Sequence, residues 1–145
     1  MGDVFTHRVL PQFYDFDPLR IAHNVVYIRW LEDARKAFVD ASPLPMDRCW
    51  AADLSPALTG TEIRYQRPIR YGDPVDLRLW VTRAGRSAWA LAFEFVRPET
   101  GIVFATGSQT GCFVHPSDGR PAPMPREFLV FCRGFLKDTA DTPGA

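Results

Sequence analysis

The amino-acid sequence predicts an α+β fold, with one substantial amphipathic helix near the N-terminus followed by four largely antiparallel strands. Two observations carry this. From about Asn24 to Val39, Tyr27, Leu31, Ala34 and Phe38 recur at helical spacing with Trp30 and Ala37 beside them, so one broad face is apolar. From Leu58 onward the apolar residues alternate instead with period two, between segments rich in Gly and Pro. With 145 residues, 46% of them hydrophobic, and no linker or internal repeat, residues 1–145 read as a single domain.

Val4 to Tyr14 reads as the first strand, and Pro11 marks it as an edge or as broken near its end. Asn24 is the expected N-cap of the helix, because its side chain can accept a bond from a free helix N–H. Glu32, Asp33, Arg35 and Lys36 fall on the flanks or the opposite face. Ser42 to Pro56 is a long, proline-interrupted connection in which DRCWAAD suggests a short turn of helix. Such length often signals a lid or pocket wall. Trp50 and Met46 within it either line an apolar pocket or simply cover the helix.

Thr59, Gly60 and Thr61 are expected to begin the second strand, which runs on through the alternating TEIRYQRPIRY until Pro68 interrupts it. Gly72-Asp73-Pro74 is a turn. Val75, Leu77, Leu79 and Val81 then share one face, and Trp80 stands on the other, polar one. A hairpin at Arg83 to Ser87 leads into Trp89, Leu91, Phe93 and Phe95. After a turn at Pro98 to Gly101, IVFATGSQTGCFV is the last strand, with Gly107 and Gly111 admitting close approach of a neighbour. A short terminal helix is expected at 125–137, with Phe128, Phe131 and Phe135 near one side. The tail, 138–145, is expected to be loose.

Composition removes several function classes. Formal net charge is zero, and fifteen of the seventeen basic residues are arginine. That balance argues against a nucleic-acid binder, which needs a basic field. It leaves room for a ligand with a few phosphates held by local arginines, with Arg64, Arg67, Arg70, Arg83, Arg86 and Arg97 all open as candidates. No run of 18 apolar residues exists, so no membrane insertion is expected. Nor does the start show a secretory signal. Three widely spaced cysteines fit a reducing compartment, hence a cytoplasmic address. His7, His23 and His115 lack metal-ligand spacing, and there is no nucleophile elbow or phosphate-binding glycine motif. Neither metal nor cofactor is expected.

The run DFDP, then IAHN, then YIRWLE, resembles the 4-hydroxybenzoyl-CoA thioesterase type of acyl-CoA thioesterase. Asp15, Asp17, Pro18, Ile21, Tyr27, Arg29, Trp30 and Leu31 fit that pattern. The stretch is also similar to plant-type acyl-carrier-protein thioesterases through Asn24, Val25, Tyr27, Ile28 and Trp30, but the histidine of that version is Ile21 here. More loosely, the likeness extends to about Val114. It implies a hotdog fold, a long central helix wrapped by a curved antiparallel sheet that continues across a homodimer or homotetramer. It also implies hydrolysis of an acyl- or aryl-CoA thioester to free acid and coenzyme A.

By this resemblance Asp17 takes the catalytic carboxylate position, as nucleophile or general base. A carboxylate next to a helix N-terminus is also electrostatically favoured. Asp15 is read as structural, fixing the loop through backbone N–H bonds. The backbone at Val25, Val26 and Tyr27 supplies donors for an oxyanion site. Asn24 either caps the helix or orients the carbonyl or water; His23 is a base, a donor, or packing. Trp30 and Trp50 are candidates for the substrate pocket. Thr59, Gly60 and Thr61 would face Asp17 from a neighbouring subunit, on fold analogy alone. The alternatives are an acyl-carrier-protein thioesterase, an enoyl-CoA hydratase, against which the missing histidine counts, and a non-enzymatic acyl-binding protein.

Overall fold

The computed structural model describes residues 2–137, and the tail expected to be loose at 138–145 lies outside them. In chain order the elements are β1 (Phe5–Arg8), α1 (Val26–Asp40), α2 (Met46–Ala51), β2 (Ser55–Tyr65), β3 (Asp76–Ala84), β4 (Ala88–Val96), β5 (Val103–Val114) and α3 (Arg126–Arg133). The strands form one antiparallel sheet in the order β1-β3-β4-β5-β2, with α1 packed against it. This is the expected α+β fold in a hotdog arrangement.

The period-two pattern sets the faces. Val81, Leu91, Gln109 and Thr61 stand in one register row across β3, β4, β5 and β2, and Leu79, Phe93, Gly107 and Ile63 stand in the next. These rows receive Tyr27, Trp30, Leu31, Ala34 and Phe38 of α1, all buried. Each large apolar side chain so buried contributes about 1.5–3 kcal/mol. Gly107 is required where β2 crosses β5, since a Cβ there would lie 2.0 Å from the Glu62 carbonyl oxygen and 2.6 Å from Phe93. Gly111 plays the same part beneath Trp89.

Three expectations shift. β1 is shorter than Val4 to Tyr14: Pro11 lacks the N–H that a ladder needs, and a 3-10 turn occupies Phe13–Asp15. β2 starts at Ser55 and not at Thr59, since an edge strand tolerates Pro56. It also ends at Tyr65, ahead of Pro68. Asn24 is not the N-cap; Val25 is, without a side-chain bond, because the chain is already helical there. Trp80, on the face opposite α1, is 2% exposed, with the Lys137 ammonium 4.9 Å from its ring centroid.

Helix α3 closes one end of the core. Phe128 meets Phe113 at 5.3 Å between ring centroids, Phe131 meets Phe38 at 5.1 Å, and Phe135 meets Phe38 at 5.1 Å. Beyond it the chain pairs with β3, where Val81 N–H donates to Phe135 O and Lys137 N–H to Val81 O.

Candidate active site

The chain reverses just before α1. Phe16 pairs with Ala22 across a tight loop, and Asp17 lies inside it. Asp17 N–H donates to Ile21 O at 2.9 Å, and Asp17 O accepts from Arg20 N–H at 2.8 Å. The side-chain Oδ1 accepts from Leu19 N–H at 2.8 Å and Ile21 N–H at 3.1 Å. Pro18 supplies the fixed φ that such a turn favours, and Arg20 closes it at a φ of 64°. One carboxylate oxygen is therefore held by the loop's own amides. Oδ2 accepts no bond among the described residues.

Asp15 anchors this loop to the helix. It is buried; its Oδ2 accepts from Gln12 N–H at 2.8 Å, its Oδ1 accepts from the Arg29 guanidinium, and its backbone oxygen accepts from His23 N–H at 3.0 Å. From there the chain enters α1. Val26 N–H turns back to His23 O at 3.1 Å and Ile28 N–H to Val25 O at 3.3 Å. Among the described residues this leaves the Val25 and Tyr27 N–H groups without a backbone acceptor at the helix start. The side chains of His23, Asn24 and Val25 are exposed around it.

Tyr27 and Trp30 point the other way, into the core: their ring centroids lie 5.2 and 6.2 Å from that of Phe95. Burial pushes the Tyr27 phenol up to about 12, a backbone hydrogen bond with Ile69 opposing the shift. Thr59, Gly60 and Thr61 sit mid-strand at a β2 bulge. Thr59 and Thr110 share a hydroxyl bond of 3.1 Å, and Thr61 Oγ1 accepts from Gln109 Nε2 at 3.0 Å. Tyr65 of the same strand donates its hydroxyl to Asn24 O at 3.0 Å. Thr61 lies four residues further along, about 13 Å at strand rise. Within one chain, then, Asp17, His23, Asn24 and the helix start come together, and Thr59–Thr61 lie down the flank.

Sequence reading missed a polar link on that flank. Gln109 is fully buried on β5, and its Oε1 accepts from Arg35 Nη1 at 2.8 Å. Burial lowers the Arg35 pKa, with Glu32 at 3.9 Å opposing the shift. The signal available was a glutamine on the apolar parity of β5; its partner lies 74 residues away.

A cavity of about 400 Å³ lies beyond this link, between α1, α2, the sheet and α3. Met46, Trp50, Ser55 and Pro56 from the long connection form part of its wall. Trp50, 57% exposed, stands on α2 where the cavity opens.

A family model described as the thioesterase-like superfamily matches residues 11–131 of the chain. A relative from Aquifex aeolicus (strain VF5) is 26% identical over 125 residues, 86% of this chain and 94% of its own. A 1,4-dihydroxy-2-naphthoyl-CoA thioesterase from Synechocystis superposes with a TM-score of 0.81 at 16% identity, over 90% of this chain and 96% of that one. A Staphylococcus aureus protein solved in complex with CoA gives 0.86 at 14% identity, over 95% and 87%. At such identities the structural likenesses speak for the fold. No helix among the described residues is long and apolar enough to cross a membrane.

Proposed function

The chain belongs to the thioesterase-like superfamily, and we propose that it hydrolyses an acyl-CoA thioester in the manner of the 4-hydroxybenzoyl-CoA thioesterase type. The observation that carries this reading is the Asp17 loop. A carboxylate with one oxygen pinned by two amides and the other unbonded is joined through Asp15 to a helix start with two N–H groups to spare. The thioester carbonyl oxygen takes those donors, Val25 and Tyr27 N–H, where negative charge develops. Asp17 either attacks the carbonyl carbon or draws a proton from the attacking water. By either route the C–S bond breaks and coenzyme A leaves as a thiolate that takes up a proton. Where Asp17 attacks, water then cleaves the mixed anhydride to give the free acid and restore the carboxylate; where Asp17 is the base, water adds to the carbonyl directly. Asn24 and His23 border the carbonyl position, where they orient substrate or water.

The eleven-residue strand β2 is one edge of the sheet, and among the described residues no other strand pairs with its outer side. A long unpaired edge of this kind is a template for a second copy. In this reading a homodimer continues the sheet across β2 and brings Thr59, Gly60 and Thr61 of one chain toward Asp17 of the other. Sedimentation velocity checks the assembly: a monomer with full turnover would remove β2 from the site. That Cys49, Cys112 and Cys132 stand as free thiols suits a reducing, cytoplasmic setting.

The test is free-thiol release from aryl-, short-, medium- and long-chain acyl-CoA, with wild type beside Asp17→Asn. Loss of a general base or nucleophile lowers turnover by about 10²–10⁴-fold. Equal release by a folded Asp17→Asn protein would take Asp17 out of the reaction. Binding of acyl-CoA without release by either protein would favour a non-enzymatic acyl carrier.

A further inference from the structure

We infer that Tyr65 is a positioning residue: its hydroxyl aims and polarises the Asn24–Val25 peptide, whose N–H group is one of the donors to the thioester oxygen. This rests on the thioesterase reading and adds to it a group that acts on the substrate only through the backbone.

Tyr65 ends β2, in the register row of Leu77, Phe95 and Ala105. Alternation puts that row on the face packed by α1, with the row of Leu79, Phe93, Gly107 and Ile63. The Tyr65 ring meets the buried Tyr27 ring edge-on, at 5.0 Å between centroids. Just past it, Gln66 N–H and Arg67 N–H both donate to Phe104 O, at 2.8 and 3.0 Å, and hold the strand end. The phenol is thereby kept against the start of α1, where its hydroxyl donates to Asn24 O at 3.0 Å.

That oxygen needs a donor. In a regular helix it would accept from Ile28 N–H, four residues on, but Ile28 N–H turns to Val25 O at 3.3 Å. Among the described residues no backbone N–H reaches Asn24 O, and the Tyr65 hydroxyl takes that place. Asn24 O and Val25 N–H are the two ends of one planar trans peptide and point in opposite directions. Holding the oxygen toward β2 therefore sets the direction of the N–H, which has no backbone acceptor of its own among the described residues. A donor on the oxygen also draws charge from the nitrogen, so the N–H becomes the stronger donor. Tyr27 N–H belongs to a different peptide, whose oxygen Tyr65 does not bond. Packing alone does not call for the hydroxyl. Tyr65 is half exposed, so water would satisfy Asn24 O in its absence, without fixing the direction of the peptide.

The experiment compares wild type with Tyr65→Phe and with 3-fluorotyrosine placed at position 65. Each is assayed for kcat and KM on the acyl-CoA that wild type turns over fastest, at mildly acidic pH, where both phenols stay protonated. The Val25 and Tyr27 amide proton shifts are read by NMR without ligand, and urea midpoints are taken alongside. Losing a whole oxyanion donor costs about 10²–10³-fold, and one hydrogen bond strengthens the next by about 10–30%, so Tyr65→Phe should lower kcat about two- to eightfold. KM should hold, because charge grows on the thioester oxygen only in the transition state. The Val25 amide proton should move upfield, with that of Tyr27 and the urea midpoint unchanged. Fluorination strengthens the phenol as a donor and should move kcat and the Val25 shift the opposite way, which keeps the test intact if Tyr65→Phe does not fold. An effect confined to KM, a kcat or Val25 shift that neither change moves, or a lower urea midpoint with kcat intact would overturn the inference. If wild type hydrolyses no acyl-CoA, the thioesterase reading falls; a Val25 shift that still answers to both changes leaves the aimed donor standing, and one that does not removes it too.

Discussion

Asp15 and Arg29 join the Asp17 loop to the helix that follows it: the guanidinium, on the first turn of α1, donates to a carboxylate that is 1% exposed. The charge lies 14 residues from its partner. Arg29→Met leaves that carboxylate buried with the Gln12 amide but no counter-charge. The expected loss is about 2–3 kcal/mol, tempered because Arg29 itself is half exposed. Asp17→Asn keeps an oxygen for the Leu19 and Ile21 amides and should cost less than about 1 kcal/mol. Urea unfolding of the two variants separates the roles: large stability loss at position 29, large activity loss with intact stability at position 17. Equal stability loss in both would mean that Asp17 is a second anchor.

The Arg35–Gln109–Thr61 link makes a different prediction. Gln109→Leu fits the apolar row of Val81 and Leu91 but strips Arg35 of its 2.8 Å acceptor, leaving Glu32 at 3.9 Å as its partner among the described residues. A largely buried guanidinium without a good acceptor costs about 1–3 kcal/mol. Adding Arg35→Met should recover most of that, because an apolar pair can replace a buried polar one at little net cost. A double-mutant cycle by chemical denaturation reads the coupling. Strict additivity of the two substitutions would mean the link contributes nothing to the fold.

Much of this architecture was legible in the chain. The helical spacing of Tyr27, Leu31, Ala34 and Phe38 and the alternation of Leu77, Leu79 and Val81 each report which face is buried, a local property. What escaped was non-local. Asn24 is a good capping residue by type, yet the backbone at Val25 is already helical, held by the His23–Asp15 bond that closes the loop. Gln109 carries a polar group on the apolar parity of β5, but its partner comes from another element. The cavity is bounded by α2 and α3, which lie far apart in sequence, so no window of residues could reveal it. Asp17 was singled out because its loop is a contiguous motif, while which amides at the helix start lack a backbone acceptor needed the hydrogen bonds themselves.

Gly107 offers a test of the sheet. Gly107→Ala forces a methyl against the Glu62 carbonyl and the Phe93 ring, and backbone on one side cannot yield as a flexible side chain would. Overpacking of this kind costs about 1–3 kcal/mol, and the 2.0 Å approach puts it at the upper end. The strain falls on the β2–β5 pairing, so amide exchange should accelerate first in β2. Unchanged β2 protection in the variant would show that the edge strand can move aside freely.

Tyr27 predicts the alkaline limit of the fold. Its pKa rises from 10.0 to about 12 on folding, because burial disfavours the phenolate. Between those values the unfolded chain has released a proton that the native chain still holds. Stability from this group is therefore complete below about pH 10 and is lost as pH climbs toward 12. Two units correspond to about 2–3 kcal/mol. Tyr27→Phe keeps the ring against Phe95 and Tyr65 but gives up the backbone bond with Ile69, so near pH 8 it should be about 1 kcal/mol less stable than wild type. Above pH 10 the wild type declines through Tyr27 and the variant does not, so the gap should close and then invert. Cys132 titrates in the same direction but is common to both proteins and cancels in the difference. Urea midpoints collected from pH 8 to 11.5 settle the matter: a gap that stays constant across the range would mean that the Tyr27 hydroxyl meets solvent in the folded state.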